Sequence, residues 1–349
     1  MTARAAVAAL LGVSATLLGA QPESQARNAT CPTEHGSGSH GIASVVPSSS
    51  SSSRLYVITN DGQVYRSENR GSNWRIAGSK VPGFILISVG ARGDVLLAGA
   101  STGLFVSSDR GQSWRTLACG WIVNDLAAAA NNRRELYVGA AQAEDTRRGG
   151  GLYRTSDGGR TWARTVRFAR MDPHNPSVEA VQIDPRNPRR VFVALEAGGL
   201  QISNDGGQRW HFSRISNEGA GLLGPQVTSI AFGPGHPQVI WAGSRLQGVF
   251  RGNATGTRWT YRGLHGVWIS RVIADKRTPN VAYVVTGKKT VLRTTDSGSH
   301  WKAMRPFGIT ASGLAIQEKD DTLYAWRGRT VLRSGDQGRT WSALSTLPS

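Results

Sequence analysis

From residue 41 onward, apolar and polar positions alternate in short bursts, and nearly every burst ends at Gly, Pro, Asn or Asp. In the best-defined stretch, Val178 to Ile183 alternates with period two and Asp184-Pro185-Arg186-Asn187-Pro188 turns the chain. Val191 to Ala194 follows as a second strand, Gly198-Gly199 turns again, Leu200 to Ser203 makes a third, and Trp210-His211-Phe212 a fourth. β-Branched and aromatic residues on this period, punctuated by such turn formers, are the signature of short antiparallel strands. The same order returns at Leu86–Val89, Val95–Ala98 and Leu104–Val106, and at Leu323–Ala325 with Val331-Leu332. No stretch of useful length places apolar residues at helical spacing.

The bursts are organised by a repeat, Ser/Thr-x-Asp-x-Gly-x-x-Trp. Full copies run Ser107–Trp114, Thr155–Trp162, Ser203–Trp210, Thr294–Trp301 and Ser334–Trp341. Two copies are degenerate: Asn69 replaces the acid in Ser67–Trp74, and only Gly256 and Trp259 survive in Gly252–Trp259. The tryptophans at 74, 114, 162, 210, 259, 301 and 341 are spaced by 40, 48, 48, 49, 42 and 40 residues. Four short strands per unit, repeated seven times, predict an all-β fold: one seven-bladed β-propeller over residues 41–349, with four-stranded antiparallel blades. Blade seven carries its own fourth strand, so the sequence shows no strand exchange to close the ring. Asp109, Asp157, Asp205, Asp296 and Asp336 read as turn formers that bind hairpin amides, rather than as catalytic or metal-binding acids. Trp74, Trp114, Trp162, Trp210, Trp259, Trp301 and Trp341 read as core.

Ahead of the repeats lies an address. Met1–Ala20 has Arg4 and then a small-apolar run too short and Ala-rich to span a bilayer, which reads as a signal peptide cut after Ala20 or Ala26. Residues 27–40 form a polar lead-in. Export makes the chain secreted or periplasmic and allows Cys31 and Cys119 either to pair as one disulfide or to remain two thiols.

The repeat resembles the Asp-box (BNR) motif, and Gly151-Leu152-Tyr153-Arg154-Thr155 and Gly103-Leu104-Phe105 before it strengthen the likeness. The resemblance extends over residues 41–349 and takes in photosystem II stability/assembly factor-like proteins, sortilin-like ectodomains, two-propeller xyloglucanases and sialidases. Repeat number, length and the export signal fit the assembly-factor-like group best, which implies a top face that holds an acidic or membrane-protein segment. Sortilin-like chains have more blades and a Cys-rich module absent here. A sialidase would need an Arg-Ile-Pro element, and Arg75-Ile76-Ala77 is the nearest string. Hydrolysis of the xyloglucanase type would need two facing carboxylates. Asp172 and Glu196 are the best pair among the few loop acids, and both also read as solvated. The seven His show no metal-ligand spacing, and no cofactor is called for.

Charge then narrows the partner. The chain has 41 Lys+Arg against 23 Asp+Glu, a formal net charge of +18. Loops joining strands two and three should share a face with the loops between blades. They carry Arg147, Arg148, Arg245, Lys288, Lys289, Arg327 and Arg329, joined by Arg170 and Arg305 from the inter-blade loops, with Trp268 and Trp326 near the same rim. Such a ring of cations suits an anionic partner. The expectation is a monomeric, non-catalytic binding module for an acidic protein segment, with an anionic glycan second and nucleic acid excluded for want of stacking repeats. The alternative is a glycoside hydrolase or a carbohydrate-binding propeller using Trp268 and Trp326 as platforms.

Overall fold

The structure, a computed structural model, describes residues 40–348 except 83–85, 93–94, 130–131, 133, 142–149, 166–176, 197–198, 216–223, 307 and 309. Among these the chain forms twenty-eight strands and no helix, arranged as seven four-stranded antiparallel sheets with strands in chain order. Blade four has strands Val178–Ile183, Val191–Leu195, Leu200–Ser203 and His211–Phe212, within a residue of the sequence expectation. First strands of neighbouring blades lie against one another around the axis, and the short fourth strands lie outside.

One sheet has two apolar faces and cannot cover either alone, so the core is divided into as many parts as there are blade borders. Seven hydrophobic clusters are present, one between each pair of neighbours. Each repeat Trp packs into the border between its own blade and the preceding one: Trp74 against blade seven, Trp114 against blade one, and so on to Trp341 against blade six. Trp162, only 2% exposed, sits between blades two and three and makes an edge-on contact with Trp121 at 5.2 Å.

The ring closes without strand exchange. Blade seven has its own fourth strand, Ser342–Ala343, and its face packs on blade one through Tyr324, Trp326 and Val331 against Val45, Val57 and Tyr65. Polar contacts trim this seam: the Ile42 amide donates to the Gly328 carbonyl at 2.7 Å, and the Gln317 amide donates to the Ser48 carbonyl at 3.2 Å. Arg329 donates to the His40 carbonyl at 3.3 Å and the Pro348 carbonyl at 2.9 Å.

Candidate functional site

The two rims of the ring differ in chemistry, and the hairpins between strands three and four define one of them. In each full repeat the hydroxyl of the first residue donates to the acid and accepts the amide of the Gly; Ser107 does so with Asp109 at 2.7 Å and Gly111 at 2.8 Å. In four of the five the acid then accepts the amides three and four residues on, as Asp157 does from Arg160 at 2.9 Å and Thr161 at 3.0 Å, while Asp296 accepts that of His300 alone. All seven hairpin glycines have positive φ, for example +86° at Gly111 and +87° at Gly207, a conformation that penalises any Cβ. Both degenerate copies keep the turn. Asn69 accepts the Asn73 amide at 2.9 Å, and Asn253, one position early, accepts those of Thr257 and Arg258 at 3.0 and 3.1 Å.

These acids are occupied by their own backbone. For Asp109, slight burial pushes its pKa up, but hydrogen bonds from Ser113, Ser107 and Gln112 outweigh it and hold it at about 2. Equivalent donors outweigh slight burial and hold Asp157 and Asp336 below the usual carboxylate range; at Asp205 the Arg209 amide, Ser203 and the Gln208 amide do so, with the Arg209 charge adding to them. At Asp296 the His300 amide and ring lead. The hairpins bond to the strand 1–2 loops, as Gly206 does to Arg189 at 2.8 Å, so the Asp184–Pro188 loop lies on this hairpin rim.

The opposite rim carries the strand 2–3 loops and the inter-blade connections. Over blades five and six it holds an exposed aromatic and basic patch. The Arg245 amide donates to the Gln226 carbonyl at 2.9 Å, and Gly266 to the Leu246 carbonyl at 2.7 Å, which fixes the blade-five loop between two connections. Trp268 is 49% exposed, and the Gly287 amide donates to its carbonyl at 2.8 Å. Its indole rests on Gly287, where an added Cβ would come within 2.5 Å of the ring. The Arg245 guanidinium lies 5.6 Å from the ring centre. Beside this pair in the same loops are Leu246, 56% exposed, next to Arg245, and the exposed cations Lys288 and Lys289, which follow Gly287. Lys289 turns the chain at φ +61°.

Beside the patch lies a carboxylate the sequence reading passed over. Glu179 is at a bulge in the first strand of blade four, where pairing slips between Val178 and Ala180. At the matching bulges, Asn124 donates to the Val178 carbonyl at 3.0 Å and Thr228 donates to the Ile269 carbonyl, each stapling one blade to the next. An ionised Glu has no proton to give there. Glu179 instead approaches Arg245 at 3.6 Å. Burial pushes its pKa up; Arg245 opposes this and the negative charge of Glu196 adds to it. A polar residue second in the first strand is the signal that could have found it.

The structure therefore sorts the sequence candidates. Arg245, Lys288, Lys289 and Trp268 come together over blades five and six, and Arg305 is exposed on the next connection. Glu196 is exposed, and its carbonyl accepts the Gln226 side-chain amide at 2.9 Å. Trp326 is a correction: it is 3% exposed and packed between blades seven and one, so no ligand can stack on it. Arg329 is another, since its guanidinium is spent on the seam; its neighbour Arg327 is exposed. Arg147, Arg148, Arg170, Asp172 and Cys31 lie outside the described residues; Cys119 is disulfide-bonded. Among the described residues no group of three or more His, Cys, Asp or Glu is placed to hold a metal ion.

No protein-family model matches the chain. A xyloglucanase of Acetivibrio thermocellus is 23% identical over 277 residues, which take in 63% of this chain and 31% of that protein. The chain thus spans less than a third of that relative's length. The GH74 xyloglucanase of Xanthomonas campestris superposes with a TM-score of 0.66 at 17% identity, covering 88% of this chain and 53% of that one. YCF48 of Cyanidioschyzon merolae superposes with a TM-score of 0.59 at 14% identity, covering 87% and 96%. YCF48 bound to a D1 peptide gives 0.59 at 13% identity, covering 84% and 92%. At these identities the likeness is one of fold: a seven-bladed propeller.

Proposed function

We propose that the chain is an exported Asp-box propeller that captures an acidic segment of a protein partner on the rim over blades five and six. The observation that carries this is the half-exposed Trp268 indole with the Arg245 guanidinium against it and the exposed Lys288 and Lys289 in the loop it rests on. An exposed aromatic supplies apolar area and a cation–π partner, and the surrounding cations favour carboxylates. A structural neighbour that binds a peptide, YCF48 with D1, supports the mode, as does a fold that gathers loops from successive blades.

The test is fluorescence anisotropy with a labelled Glu-rich peptide. The variant Trp268→Ala/Lys288→Glu/Lys289→Glu should lose at least tenfold in affinity, while the hairpin-rim control Arg189→Glu/Arg209→Glu keeps it. Equal losses in both would reduce the binding to net charge and defeat the reading.

One observation favours a second reading, glycoside hydrolysis. Glu179 is a partly buried carboxyl with a raised pKa, as a general acid requires, it feels the charge of Glu196, and it shares Arg245 with an exposed Trp that suits a sugar ring. The xyloglucanase relatives support it. Reducing ends released from xyloglucan, and lost in Glu179→Gln, would favour this reading over capture.

A further inference from the structure

On the hairpin rim, side chains of one blade anchor the hairpin of the next at two borders. Where blade three meets blade four, the Tyr137 hydroxyl donates to the Gly206 carbonyl of the next hairpin at 2.9 Å, and Arg154 is paired with Glu135 at 2.7 Å. Where blade six meets blade seven, Arg293 donates to the equivalent Gln337 carbonyl at 2.7 Å, and Tyr283 lies 3.4 Å from Asp275. In blade seven these two positions are Tyr324 and Arg333, and the facing carbonyl belongs to Arg70 of blade one. Here neither anchor forms. The Tyr324 hydroxyl is buried without a hydrogen-bond partner, and the Arg333 guanidinium has no hydrogen-bond or ion-pair partner among the described residues. In their place is a pocket of about 300 Å³, lined by Arg70, Thr322, Arg333, Ser334, Thr340 and Trp341 among others.

The donors left in this pocket define what fits. The Ser334 hydroxyl donates to Asp336 at 2.7 Å and accepts the Gly338 amide at 2.8 Å. Both the amide and the hydroxyl of Thr340 go to the same Asp336, and the Ser342 hydroxyl goes to the Arg333 carbonyl. What remains are guanidinium N–H groups and the Thr322 hydroxyl. The Asp320 carboxylate, 3.4 Å from Arg70, balances one of the two cations and also caps the Thr322 amide at 3.1 Å. Arg333 has no such balance. The Tyr324 hydroxyl lies within electrostatic range of all three charged groups: burial pushes its pKa up to about 12, Asp320 adds to this, and Arg333 and Arg70 oppose it.

We propose that the seam pocket binds a tetrahedral oxyanion between Arg333 of blade seven and Arg70 of blade one, supplying the bridge that Tyr137 and Arg293 supply at the borders between blades three and four and between blades six and seven. A planar guanidinium presents paired donors to such an oxyanion, and a ligand held by both blades favours the closed ring by mass action. The site lies on the rim opposite the Trp268 patch and is independent of it.

The test is isothermal titration of the full chain with inorganic phosphate at constant ionic strength set by chloride, with thermal melts alongside. Glycerol phosphate forms a second arm: binding equal to that of phosphate marks a site open to esters, and phosphate alone a site for the free ion. Wild type should show saturable binding at one site and a rise in Tm. Arg333→Ala and Arg70→Gly should each weaken it at least tenfold, the latter installing the residue that Gly158 and Gly206 provide in sister hairpins. Lys288→Glu/Lys289→Glu on the far rim should bind as wild type does. If neither anion saturates wild type, or both pocket variants bind unchanged, the proposal fails.

Discussion

The hairpin rim and the opposite rim are built from the same blades, yet they use polar side chains in opposite ways. On the hairpin rim a carboxylate such as Asp157 accepts two amides and two hydroxyls within its own turn, and has little left to offer a partner. On the opposite rim Lys288 and Lys289 are exposed and Trp268 shows half its surface. A repeated turn whose side chains satisfy one another can be copied from blade to blade because it asks little more than a backbone bond from the strand 1–2 loop of its own blade. Binding chemistry accumulates where a loop's backbone bonds are met by neighbouring backbone and its side chains stay uncommitted.

The largest break in this contrast should come from the core beneath both rims. Trp162→Ala should cost about 3–5 kcal/mol in urea unfolding, since a fully packed indole leaves a cavity when removed. Next comes a matched pair. Trp326→Ala should cost a similar amount, whereas Trp268→Ala should stay within about 0.5 kcal/mol of wild type and act only on binding. Similar costs for both would erase the distinction between core and platform.

Acid should weaken the hairpin rim selectively. The repeat acids are lowered in the folded state, to about 2 at Asp109. Their stabilisation is present above the unfolded value of 3.8 and is lost as pH falls through the folded one. Tm should therefore drop between about pH 4 and pH 2, and Asp109→Asn/Asp157→Asn should make that drop shallower. Glu179 has the opposite sign. Its raised pKa adds stability below the unfolded value of 4.5, lost as pH rises through the folded one, so Glu179→Gln should gain relative stability near neutral pH. A modest effect belongs to the degenerate hairpin: Asn253→Ala should cost about 0.5–1 kcal/mol in the same urea assay.

The blades were legible because each repeats the same local decisions, a period-two strand, a turn residue and a Trp at fixed offset. Even Asn253 keeps this logic, although its shift by one position hides it from the motif. The fates of Trp268 and Trp326 were not legible. Trp268 precedes a strand and Trp326 lies near the end of one, each beside a loop, and burial was decided by the neighbouring blade, which lies in another part of the chain. Arg329 read as one more loop cation until the fold brought residues 40 and 348 to it. Glu179 looked like an ordinary outward strand position, and only the bulge turns it toward Arg245.

Because Arg329 and the blade-one face close the circle without a shared strand, the order of blades along the chain is separable from their order around the axis. A circular permutant opened in another inter-blade connection, with residues 40 and 348 joined by a short linker, should assemble the same ring. The original chain should first part where only side chains and a few backbone bonds join blade seven to blade one. Under a pulling force or slow deuterium uptake, that border would behave as the clasp of a bracelet whose other links are covalent.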